Sequence, residues 1–77
     1  MKKYDAFAIG KIIRQLRTSK GMSQEVLSGF ANIARSHLAM IETGSKAANM
    51  ETLWKIAQAF EMSLSELIRM AEQSIDE

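Results

Sequence analysis

Apolar residues recur along most of this chain at intervals of three and four, the spacing of helices that each bury one face. Ile9, Ile12, Ile13 and Leu16 form the first stripe and predict a helix over residues 6–20, closed at Gly21 by a residue free to adopt left-handed backbone. A second, shorter helix is expected from Gln24, with Leu27 and Ala31 inward and Ser23 capping its free N–H groups. After Asn32 the stripe resumes with Ile33, Leu38 and Ile41. Leu53, Ile56, Ala57 and Phe60 predict a fourth helix over residues 50–61, capped by Asn49, with Trp54 beside the stripe and not within it. Ser63 and Glu66 form a capping box ahead of Leu64, Leu67, Ile68 and Ala71, the start of a fifth helix. Residues 1–6 are expected to fray at their start and residues 72–77 to be loose. With no Pro and only four Gly, the chain reads as all-α.

The stretch over residues 22–44 has a more particular form. Its two short helices share one apolar seam, and Asn32 stands at the bend between them, where Asn tolerates the left-handed conformation of a sharp helix exit. Ser28 sits where a steeply crossing helix leaves room only for a small side chain. This is a helix-turn-helix pattern, in which the second helix enters the DNA major groove.

Met22-Ser-Gln-Glu, Leu27, Ala31, Arg35-Ser36, Ile41-Glu42, Gly44 and Glu51-Thr-Leu53 together resemble the phage lambda repressor and Cro type of helix-turn-helix domain. The resemblance spans about residues 7–70 and implies one compact five-helix domain over residues 1–77, with the helix-turn-helix at helices 2 and 3. This chain has Asn32 where the family usually has Gly, and Ala34 where it usually has Ser or Thr, so the recognition helix over residues 34–43 starts without a side-chain cap. The resemblance further implies that Gln24 reaches the DNA backbone, as do the loop after Gly44 and the next helix's N-terminus. It also implies an ion pair between Arg17 and Glu42.

On the recognition helix, Leu38 and Ile41 point inward, leaving Ala34, Arg35, Ser36, Ala39, Met40 and Thr43 outward. Arg35 can bond guanine O6 and N7 with both arms of its guanidinium, Ser36 can bond a base or a phosphate, and Ala39 and Met40 can touch a thymine methyl. Met40 is equally suited to filling a gap in a core. Ser23, Gln24, His37, Thr43, Ser45, Lys46 and Asn49 are the candidate phosphate contacts. His37, the one histidine, has no second His, Cys or carboxylate cluster beside it, so a phosphate contact or plain surface position is expected rather than a metal or catalytic role.

Charge adds an asymmetry that the net value of +1 conceals. Residues 1–20 hold Lys2, Lys3, Lys11, Arg14, Arg17 and Lys20 against Asp5, whereas residues 49–77 hold Lys55 and Arg69 against Glu51, Glu61, Glu66, Glu72, Asp76 and Glu77. Such polarity suits a basic end set against phosphate, or simply solvated helix faces. Without Cys there is neither disulfide nor thiolate metal site, so the core alone must hold the fold. No glycine-rich phosphate loop, nucleophile with a matching base, or metal-ligand spacing is present, so neither an enzyme nor a cofactor or small-molecule ligand is expected. No secretion signal or membrane-spanning run is seen, and the expectation is a soluble cytoplasmic protein.

These features predict a sequence-specific transcriptional regulator on a palindromic double-stranded operator. They resemble stand-alone phage repressors, restriction-modification controller proteins, or antitoxins that repress their own operon. The alternative is a protein-interaction module on the same scaffold. Because one recognition helix covers few base pairs, a two-fold homodimer is expected, with Trp54, Met62, Ile68, Ala71 and Ile75 as its apolar surface. A mobile hydrophobic tail is the competing account of that surplus.

Overall fold

The computed structural model describes residues 4–76. Five helices follow one another: α1 (Ala6–Ser19), α2 (Gln24–Ala31), α3 (Arg35–Thr43), α4 (Met50–Ala59) and α5 (Leu64–Asp76), with no strand among the described residues. Residues 1–3 and 77, at the two ends expected to be loose, lie outside the described residues.

The helix ends follow from local chemistry. Asp5 opens α1, its carboxylate accepting the Phe7 N–H at 3.0 Å, a cap that apolar spacing did not reveal. Gly21 closes α1 as expected, with φ 69°, so that the Met22 N–H returns to the Arg17 carbonyl at 3.0 Å. Ser23 Oγ accepts the Val26 N–H at 3.1 Å at the start of α2, and Asn32, at φ 56°, turns the chain out of it. Asn49 caps α4 through the Thr52 N–H at 2.8 Å. The Ser63–Glu66 capping box is complete: Glu66 Oε1 accepts the Ser63 N–H at 3.3 Å, and Ser63 Oγ accepts the Glu66 N–H at 3.1 Å.

Two boundaries differ from expectation. α4 stops at Ala59 because Glu61 takes left-handed backbone, φ 57°, and the Met62 N–H bonds back to the Ala57 carbonyl at 3.0 Å. Glycine usually marks this position, and Glu61 carries no such mark. The second difference is at the C-terminus, where α5 continues to Asp76 instead of loosening after residue 71. Ile68, Ala71 and Ile75 recur on one face of α5, which packs on α1 and α4 with Ala71 buried in the core, while Ile75 stays exposed beside an open groove shared with Tyr4, Ile9 and Leu53.

Each helix contributes one fully buried large side chain to the centre: Ile13, Leu27, Leu38, Ile56 and Leu67. Burying each such side chain favours folding by about 1.5–3 kcal/mol. Around them, α1 packs on α3 and α5, α2 on α3 and α4, and α4 on α5. Ser28 is buried as its small size requires, its hydroxyl donating to the Glu25 carbonyl at 3.1 Å. α1 and α3 meet backbone to backbone at Gly10, where an added Cβ would strike the Ile41 carbonyl oxygen and come within 2.9 Å of that of Glu42. α3 is therefore held against α1 by direct contact of main chains.

Of the two non-glycine residues with left-handed backbone among the described residues, Asn32 and Glu61, Glu61 is the one whose side chain does not suit it. Glu61→Gly removes the left-handed penalty at the cost of a freer unfolded chain, and is expected to raise stability by about 0.5–1 kcal/mol. The urea midpoint measures it; an unchanged or lower midpoint would show that no strain resides there.

Candidate nucleic-acid interface

α3 is fastened at its C-terminal end by a buried ion pair. Arg17 of α1 donates to Glu42 through Nε to Oε2 at 2.7 Å and through Nη2 to Oε1 at 3.0 Å, with side chains only 11% and 2% exposed. Arg17 Nη1 also donates to the Met22 carbonyl at 2.8 Å, in the turn between α1 and α2. Gln24 Nε2 completes the group by donating to Glu42 Oε1 at 3.1 Å. One carboxylate thus ties together α1, α2 and α3. The expected Arg17–Glu42 pair is present, while the link from Gln24 was not anticipated.

With Leu38 and Ile41 inward, α3 presents Ala34, Arg35, Ser36 and Met40 as exposed residues, and Ala39 as a half-buried one. Ala34 is extended, φ −67° and ψ 141°, and makes no side-chain cap, as its lack of a hydroxyl requires. Met40 is 40% exposed and belongs to the outer face, not the core. Arg35 forms no ion pair among the described residues, so its guanidinium is at liberty to bond an external acceptor.

The loop after α3 folds onto the Met40 carbonyl. That oxygen accepts from Thr43 Oγ1 at 3.1 Å, Ser45 Oγ at 3.2 Å and the Lys46 N–H at 3.3 Å, and the two hydroxyls lie 3.1 Å apart. A phosphate oxygen only accepts, so Thr43 and Ser45 would have to break these bonds to contact one. Their hydroxyls shape the loop. Lys46 stands exposed beside them, and Asn49, while capping α4, keeps its carboxamide N–H₂ on an exposed position. Ser23 caps α2, and His37 is half-buried on α3. Gly44 allows the tight exit from α3: its φ is 77°, and a Cβ there would lie 2.9 Å from the Phe7 Cα.

Comparison with protein-family profiles matches residues 13–67 to a helix-turn-helix family. The chain belongs to that family. The match places it with domains of the lambda repressor and Cro type, a group of non-enzymatic regulators. Its relatives include a competence pilus inhibition repressor of Acinetobacter baylyi, 30% identical over 69 residues, which are 90% of this chain and 63% of that protein. A cryptic phage transcriptional repressor of Vibrio cholerae is 28% identical over 84% of this chain and 59% of its own length. The chain therefore spans about three fifths of each of these two repressors. Among solved structures, a restriction-modification controller protein of Aeromonas hydrophila superposes with a TM-score of 0.79 at 33% identity, over 82% of this chain and 96% of that one. A second such controller protein, C.Esp1396I, gives a TM-score of 0.84 at 26% identity, covering 96% and 95% of the two chains.

In this helix-turn-helix domain the residues expected at a dimer surface do not form one patch. Trp54, 56% exposed, lines a groove with Met62 and Leu64 between α4 and α5. Ile68 and Ile75 line the separate groove with Tyr4, Ile9 and Leu53. Ala71 is 3% exposed and belongs to the core, so the expectation that it faces a partner is corrected: as a small residue it lets α5 close against its neighbours. Periodicity did not expose the need for Gly10 and Gly44. A glycine inside the stripe of α1 was the available signal for the first.

The clamp makes a sharp prediction. Arg17→Ala leaves a buried carboxylate without its cation and is expected to cost about 3–5 kcal/mol. Chemical denaturation measures this, and a loss below about 1 kcal/mol would mark the pair as equivalent to one on the surface.

Proposed function

We propose that this helix-turn-helix chain is a sequence-specific transcriptional regulator, inserting α3 into the major groove and acting in the cytoplasm. The observation that carries the reading is the outer face of α3, where Arg35 and Ser36 stand exposed on a helix clamped from behind by Arg17 and Glu42. Pre-set geometry of this kind lets a guanidinium reach base edges without first ordering its helix. The loop carrying Lys46 and the capping residues Ser23 and Asn49 then follow the sugar-phosphate backbone, and Gln24 and His37 serve the same role. The repressor names of its relatives and the controller proteins among its structural neighbours support this class. No described helix is long and apolar enough to cross a membrane.

Reading and holding are separable by mutation. Arg35→Ala is expected to cost about 1–3 kcal/mol on the operator and to relax preference at one base position. Lys46→Ala should weaken operator and random DNA alike and lower the salt slope by about one unit. Selections on randomised half-sites with gel shifts over a salt series check both. Unchanged base preference in Arg35→Ala would pass the reading role to Ser36 or Met40, and a wild-type chain retained by no duplex at low salt would favour the protein-interaction module instead.

The proposed unit on DNA is a two-fold homodimer on a palindromic operator, since two half-sites about one helical turn apart multiply the discrimination of one short helix. Exposed Trp54 and Ile75, with half-buried Met62 and Ile68, supply apolar surface for it. Sedimentation at micromolar concentration is expected to show the dimer, and a monomer that stays monomeric on DNA would overturn it.

A further inference from the structure

We infer that Glu42, beyond bracing α3, is a positioning residue for the DNA backbone and acts through the carboxamide of Gln24. This rests on the reading of the chain as a DNA-binding protein. A carboxylate only accepts hydrogen bonds, so the Gln24 side chain must turn its N–H₂ and not its carbonyl toward Glu42. The reverse orientation would set two acceptors against each other. Nε2 carries two hydrogens; one is held by Glu42 Oε1 at 3.1 Å, and the other is left for a phosphate oxygen.

The charge arrangement favours the same contact. An anion as close as Glu42 would ordinarily repel a phosphate at Gln24. Here Arg17 meets both carboxylate oxygens, at 2.7 and 3.0 Å, so the pair is neutral as a unit. Glu42 itself is buried, and Gln24 is half-buried in the first turn of α2. The same carboxylate that fixes the end of the recognition helix therefore fixes a donor on the helix before it. Base reading and phosphate holding share one anchor, and displacing Glu42 disturbs both.

The test uses an operator selected from random duplexes, with single phosphates replaced one at a time by neutral methylphosphonate across a half-site. Gln24→Met keeps the side chain's length and removes its donor, and is expected to weaken binding about tenfold, as for a lost charge-assisted hydrogen bond. At one phosphate the replacement should weaken the wild type by a similar factor and the variant by less than about twofold. Arg17→Lys keeps the positive charge and loses the two-pronged grip; in that background Gln24→Met should cost less than about threefold. A loss from Gln24→Met that is equal at every phosphate would make Gln24 merely structural and overturn the proposal, as would a coupling that persists undiminished in Arg17→Lys. If Arg17→Lys does not fold, the Gln24 carboxamide of the free wild-type protein decides: one side-chain proton shifted well away from its ordinary glutamine position and slow to exchange supports the contact to Glu42, and two signals at ordinary glutamine positions with free exchange overturn it. Failure of the wild type to bind any duplex would instead bring down the DNA-binding reading itself, and this inference with it.

Discussion

The end of α3 is tied to α1 and α2 through one carboxylate held out of water. Removing Glu42 and Arg17 from solvent is costly, and a buried pair is often no more stabilising than apolar residues of the same size. What the pair contributes is direction. The guanidinium fork permits few orientations, and its third donor is held by the Met22 carbonyl, so the end of α1, the following turn and the end of α3 are locked in one register. Gln24 adds α2 to the same lock. Apolar packing between Leu27, Leu38 and Ile13 supplies cohesion, but such contacts alone tolerate sliding that a bidentate ion pair does not.

That lock is possible only because two helices come unusually close. Gly10 lets α1 rest against the carbonyls of Ile41 and Glu42, and Gly44 lets the chain leave α3 directly over Phe7. A Cβ at Gly10 would strike the α3 backbone, and one at Gly44 would press on Phe7. The basic α1 borders α3 as well as the acidic α5.

The outer side of α3 is organised by a second, smaller hub. Where the helix ends, the Met40 carbonyl has no main-chain partner within α3; it gathers the hydroxyls of Thr43 and Ser45 and the backbone of Lys46. The loop proposed to follow the phosphate backbone is thereby set relative to the residues proposed to read bases. At the other end of α3 no side chain caps the helix, since Ala34 has no side-chain oxygen to offer its first turn.

Much of this architecture could be read from the chain because it is written locally. Helical stripes, the caps at Ser23, Asn49 and Ser63, and the left-handed exits at Gly21 and Asn32 each depend on residues a few positions apart, and all recur in the structure. The Arg17–Glu42 pair came from family resemblance, as no local rule joins residues on separate helices. Other features had no local trace at all. Glu61 adopts left-handed backbone, which Glu does not by itself favour, at the turn between α4 and α5. α5 packs on α1 and α4, and that packing takes Ala71 into the core. Whether Thr43 and Ser45 have hydroxyl protons to offer, and which way the Gln24 amide faces, are set by partners that only folding brings within 3.5 Å. Sequence by itself determined the elements and the chemistry available to them, because helix periodicity and capping are short-range; the tertiary structure decided which of those groups remain free, because hydrogen-bond partners and burial are properties of the assembled fold.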